Sequence, residues 1–178
     1  MAKKTIFVLV LCILALSCVY AGKSSIVVQG SPYSFQSVSA SSGTYKSTYG
    51  YGGKAGYRYE VCNNLTVGAD FDLSVFKFDE LEKNYMVMAF RAVGGYRFDI
   101  SGVVYAKCEI GAGVALRSIG DRRQAVVDLQ ADFDAGFRIS DSVAITAGAG
   151  LELGFQKSRS ASSTDFAVKT EVGLDISL

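Results

Sequence analysis

The sequence predicts an all-β protein: an eight-stranded antiparallel up-and-down transmembrane β-barrel. Three observations predict it. Apolar residues recur with period 2 from residue 49 to the end, the charges inside those segments all take the opposite parity, and the connections alternate between short and long. The stretch YGYGGKAGYRYEV, residues 49–61, shows the pattern at its clearest. Tyr49, Tyr51, Gly53, Ala55, Tyr57, Tyr59 and Val61 share one face, and Gly50, Gly52, Lys54, Gly56, Arg58 and Glu60 share the other.

Residues 24–38 make a first strand whose register is blurred by Ile26-Val27-Val28 and by Pro32, the only proline of the chain. Proline cannot donate to a ladder, so a bulge or break is expected there. Residues 49–61 are the second strand. The third carries its apolar face from Leu65 through Phe71 to Val75, the fourth from Met86 through Phe90 to Phe98, and the fifth from Val104 through Ile110 to Leu116. The sixth runs from Val127 through Phe133 to Ile139, the seventh from Val143 through Ala149 to Phe155, and the last from Phe166 through Val172 to Leu178. These runs are about 12 to 16 residues long, whereas soluble strands cluster near 5–6 and a tilted membrane strand needs about 9–11. Residues 62–64, 99–102 and 140–142 read as short turns. Longer, polar loops are expected at 39–48, 77–84, 117–123 and 157–165.

The strand cations are Lys54, Arg58, Arg91, Arg97, Lys107, Arg117, Arg138 and Lys169. The strand anions are Glu60, Asp70, Asp72, Glu109, Asp128, Asp132, Asp134, Glu152, Glu171 and Asp175. All lie opposite the apolar face. One-sided strands also suit a soluble barrel with its apolar face inward, and volume decides between the two. An eight-stranded barrel is only just wide enough inside to be filled by side chains, too narrow for so many Phe, Tyr, Leu, Ile and Val. The face of charges and glycines fits the interior better. The charges are therefore expected to form an ion-paired network filling the lumen, because an isolated buried charge costs several kcal/mol. Aromatics gather near strand ends, Tyr49, Tyr51, Phe155 and Phe166 toward one rim and Tyr57, Tyr59, Tyr96, Phe98 and Phe137 toward the other, as in the girdles of membrane barrels.

Lys3 and Lys4 precede an apolar run from Ile6 to about Ser17, and Val19-Tyr20-Ala21 stands before Gly22. This is the layout of a secretory signal peptide, residues 1–21, with the barrel domain at 22–178. Lipidation at Cys18 stays open as an alternative, since Ala15-Leu16-Ser17-Cys18 loosely resembles a lipobox. The formal net charge of +1 becomes −1 without Lys3 and Lys4, which gives no pull toward nucleic acid. The chain has no His, so the commonest general base and metal ligand is missing. No catalytic, cofactor or metal residue is assigned, and no enzymatic role is expected. Cys62 and Cys108 read as unpaired, and Gly148-x-Gly150-x-x-x-Gly154 lacks the following helix of a nucleotide fingerprint.

Gly95-Tyr96-Arg97-Phe98, Gly56-Tyr57-Arg58-Tyr59-Glu60-Val61 and Ile145-Thr146-Ala147-Gly148-Ala149-Gly150-Leu151 resemble strands of the small eight-stranded outer-membrane barrels, the OmpA transmembrane domain and OmpX-type proteins. The resemblance covers about 45–178 and is architectural. It implies a bacterial outer-membrane location, periplasmic termini and external loops. The implied partners are outer-membrane lipid, the barrel assembly machinery, and a host or surface ligand at the loops. Members commonly end in an aromatic residue; here the last residue is Leu178, which keeps only the apolar character. No peptidoglycan-binding domain is expected after the barrel. The role expected first is structural or surface-interacting, through four short external loops on a rigid, ion-filled tube. A narrow porin-like channel for small solutes or ions is the alternative, and a soluble ligand-binding barrel the third reading.

Overall fold

The computed structural model describes residues 23–40, 43–79, 84–119, 122–157 and 162–178. The signal segment, with Ala21 and Cys18, lies outside them, as do Glu80, Glu82 and Asp121. Eight strands follow one another: β1 Ser24–Ala40, β2 Gly43–Cys62, β3 Leu65–Phe78, β4 Tyr85–Asp99, β5 Val104–Ile119, β6 Arg122–Arg138, β7 Val143–Lys157 and β8 Ser162–Ser177. Each pairs antiparallel with the next, and β8 pairs with β1, so the sheet closes on itself. Closure leaves no unpaired edge, which in hydrocarbon would cost several kcal/mol for each orphaned backbone group.

The period-2 pattern sets which side of the ribbon faces out. Ile110, Phe90, Phe133 and Val114 are more than half exposed on the outer wall. The alternate positions, among them Arg91, Asp72, Asp134 and Lys169, are at most 1% exposed inside. Leu129 and Ile145 also face outward. A water-soluble sheet does the reverse, burying its apolar face.

In β1, the parity slips where proline predicts it. Val27, Gln29 and Ser31 point inward, then Ser34 and Gln36, with Pro32 and Tyr33 both exposed between them. Ser31 and Ser34 pair with Gly52 and Gly50, and Gly30 and Ser34 pair with Val172 and Lys169, so β1 carries one extra residue against both neighbours. The bulge removes the need for an N–H at Pro32. Its carbonyls are still satisfied. The Tyr49 hydroxyl donates to the Pro32 carbonyl (3.3 Å), and the Thr170 hydroxyl donates to that of Tyr33 (2.9 Å).

The predicted loop boundaries need correction. The segments 39–48, 117–123 and 157–165 are largely strand, and β2 reaches 20 residues. The connections after β1, β3, β5 and β7 contain two, six, two and four residues, and those after β2, β4 and β6 two, four and four, so short and long links do not alternate. The physical reason is that Ser/Thr-rich sequence marks where strands leave an apolar environment, not where they stop pairing. Above the apolar band, the pattern inverts. Lys46, Lys77 and Arg123 are exposed, while Phe76, Phe78, Tyr85, Val87, Ala89, Ala115, Val126 and Ala167 form a buried apolar cluster inside. Strands with water outside again need an apolar core. The interior is therefore not only glycine and charge.

At the opposite end the turns are tight. Asn64, between β2 and β3, adopts a left-handed conformation (φ 71°), which Asn tolerates better than most residues. Its N–H donates to Glu60 Oε1 (3.2 Å), and its side-chain oxygen accepts from Arg97 (3.2 Å).

Candidate functional site

Inward positions of seven strands, β2 to β8, bring fifteen buried charges into the tube, six cations and nine carboxylates among the described residues. Ion pairs join them into four groups. In the first, Lys54 Nζ donates to Asp132 Oδ2 (2.6 Å) and Glu171 Oε2 (3.0 Å). In the second, the Arg58 guanidinium forks onto Asp70 (2.6 and 2.9 Å) and Glu109 (2.6 and 2.9 Å), and Lys107 Nζ lies 3.3 Å from Glu109 and 3.7 Å from Asp134. In the third, Arg91 bonds Asp128 and Glu152 (2.7 Å to the latter), and Lys169 bonds both oxygens of Asp72 (2.9 Å each) and Glu152 (2.7 Å). In the fourth, nearest the outer mouth, Arg117 bonds Asp165.

Fixed forks and shared lysines make this arrangement rigid. A guanidinium bound to two carboxylates at once has no rotamer freedom left, and charge-assisted bonds at these distances are the strong kind. Small residues give the long side chains their room. A Cβ at Gly154 would collide with the Arg117 guanidinium, and one at Gly150 would lie 2.7 Å from Asp132 Oδ1. These inward glycines open the space that the ionic groups occupy.

Fourteen of the eighteen strand charges named from sequence are buried in this tube. The other four, Glu60, Arg97, Arg138 and Asp175, stand partly exposed at the short-turn mouth. There Arg138 pairs with Asp99 (2.5 Å), and Arg97 lies 3.4 Å from Asp99 and 3.7 Å from Glu60. Tyr105 lies at this mouth. Its ring occupies the space left by Gly136, its strand partner, with the Arg138 and Arg97 guanidiniums 5.2 and 5.9 Å from the ring centre. The Tyr105 hydroxyl reaches Asp175 at 3.4 Å.

Sequence reasoning missed three components. Asp165 was assigned to a loop, yet it sits in β8, 2% exposed, accepting from Arg117, from the Tyr85 hydroxyl (3.1 Å) and from Gln36 (3.3 Å). The aromatic cluster of Phe76, Phe78 and Tyr85 was also missed. The alternation Asp72-x-Ser74-x-Phe76-x-Phe78 carries the inward parity straight through it and was the available signal. So were the neutral lumen residues Gln29, Gln130 and Thr146, which share the parity of the charges. At the outer mouth a cavity of about 290 Å³ lies among Val38, Tyr45, Phe78, Tyr85 and Ile119, with Arg117 and Asp165 also on its wall. Cys62 and Cys108 are free and exposed. Among the described residues, no three His, Cys, Asp or Glu side chains are arranged to hold a metal ion.

A closed eight-stranded antiparallel barrel, apolar outside and ionic within, is the fold of the small outer-membrane barrels. In particular, the chain is similar to the crystal structure of Neisserial surface protein A, with a TM-score of 0.61 at 16% identity, over 86% of this chain and 96% of that one. Ail, the attachment invasion locus protein of Yersinia pestis, is 20% identical over 88% of this chain and 99% of its own, with a TM-score of 0.49. The N-terminal barrel of Pseudomonas aeruginosa OprF is 16% identical over 85% and 99%, with a TM-score of 0.44. No protein-family model and no curated protein matches the sequence.

Proposed function

We propose that this protein is an integral protein of the bacterial outer membrane, exported by a leader at 1–21, whose barrel is a closed scaffold rather than a conduit. Lipid surrounds the apolar wall, and the barrel assembly machinery inserts the chain. The hairpins beyond the lipid meet a surface ligand. The observation that carries the reading is the interior. Fifteen charges tie strands together across the lumen, Tyr105 lies at one mouth, and Phe76, Phe78 and Tyr85 pack together toward the other. On this reading, side chains so bonded leave water and solutes no continuous path. The exposed Lys46, Thr48, Lys77 and Arg123 at the outer rim are the surface offered to a partner.

Planar-bilayer recording tests the closed scaffold. The folded protein, identified by different gel mobility before and after boiling in detergent, is expected to give no reproducible single-channel steps. Reproducible steps from the same preparation would instead establish the narrow channel.

A further inference from the structure

The inward apolar cluster of Phe76, Phe78 and Tyr85 continues toward the outer mouth in Val38, Tyr45 and Ile119, and these three stay only half-buried. They border the cavity of about 290 Å³, near the lower end of the roughly 300–1,000 Å³ of small-molecule pockets. Apolar surface left open inside a concave wall is the usual seat of an apolar ligand. A second observation concerns the way in. β5 and β6 pair up to Ile119 and Arg122, and β7 and β8 up to Lys157 and Ser162, but β6 and β7 pair only as far as Val127 and Phe155. The two strands part there, and Gln124 and Gln156, one on each side of the gap, both line the cavity. Val127 and Phe155 are the last large apolar residues of the outer wall on these strands, 57% and 42% exposed, so the gap begins where that wall ends. Charge is the third observation. Arg117 and Asp165 neutralise each other on the cavity wall, whereas the exposed Arg123, in the unpaired part of β6, has no carboxylate partner among the described residues.

We propose that the outer mouth binds one long-chain fatty acid. Its tail enters sideways between β6 and β7 and lies against Val38, Tyr45, Phe78 and Ile119, while Arg123 holds its carboxylate at the gap. The cavity has room for a single chain, and covering half-buried aliphatic and aromatic surface stabilises the complex in proportion to the area removed from water. An anionic head matches the one cation of the gap that lacks a partner, and the neutral Arg117–Asp165 pair asks for no charge deeper in. This assignment rests on the reading that lipid surrounds the apolar wall, because the fatty acid reaches the gap from the outer leaflet. The ion groups below stay as they are, so the tube remains closed.

The test is photolabelling of the folded barrel in phosphatidylcholine bilayers with a long-chain fatty acid that carries a diazirine near its tail end, the labelled positions being read by peptide mass spectrometry. Saturable labelling is expected at inward positions of the outer mouth, Tyr45, Phe78 and Ile119, and an excess of the untagged acid should remove it. The methyl ester, which has no charge for Arg123, should compete about fivefold less well, and Arg123→Gln should erase that difference. Ala40→Trp, which fills the cavity, should abolish the inward labelling, with Ile119→Trp as the second variant should the first not fold. Gel mobility reports separately whether each sample is a barrel. Labels confined to outward residues such as Phe90 and Val114 would overturn the proposal while leaving the lipid-facing wall intact. Labels on neither face would overturn both. Inward labelling that neither competes nor responds to the filled cavity would also sink the site.

Discussion

Arg91 lies mid-lumen with no exposed surface, bonded to Asp128 and Glu152 and 3.9 Å from Asp72. Truncating one partner of a buried ion pair costs about 3–5 kcal/mol, because the remaining charges stay buried without compensation. Arg91→Ala is therefore expected to lower stability by at least that much in denaturant titrations of the refolded barrel, and Asp128→Asn in the same chain to restore part of the loss. Additive losses in the double variant would contradict the pairing. Residue partners were the least legible feature of the sequence. Lys54 is the strand partner of Asp72, but its ammonium crosses the tube to Asp132 on β6 and Glu171 on β8, while Asp72 takes Lys169 from β8. Period 2 assigns a side chain to a face. It carries no information on which of several carboxylates across a narrow tube lies at the same height.

Strand elements were legible where the apolar outer wall sets the pattern and lost where that wall ends. From Leu65 to Val75 or from Val104 to Leu116, the outer wall has to be apolar at every second residue, and the reading of faces follows directly. Beyond that band the same strands run on in water. The polar residues of β2 and β8 near the outer rim are compatible with either loop or strand, so the ends could not be read. The inward Phe76 and Phe78 are the counterpart of that change. Each is 1% exposed, and Tyr85 stands 6.5 and 5.6 Å from their ring centres. Phe78→Ala is expected to cost about 3 kcal/mol, the range for emptying a buried aromatic site. It should also raise proteolysis of the β3–β4 hairpin while leaving gel mobility unchanged. A variant as stable and protease-resistant as the parent would show that this cluster is not a core.

For the whole molecule, the closed sheet, its apolar exterior and its ionic interior are one arrangement, since each strand has two faces and closure fixes which is inside. A charge moved to the outer wall should therefore be penalised by depth. Ile110, 72% exposed near the middle of β5, is the sharpest position, and Ile110→Arg is expected to cost about 2–4 kcal/mol in bilayers. Such a change on a water-facing surface would cost almost nothing. The most direct measurement is nitroxide accessibility. With Cys62 and Cys108 replaced, single labels at Leu129 and at Ile145 are read in lipid bilayers for collisions with dissolved oxygen and with a water-soluble nickel chelate. Preferential collision with oxygen at both sites is the predicted result. Preferential collision with the nickel chelate, or labels immobilised by protein packing, would mean that the apolar face does not meet lipid.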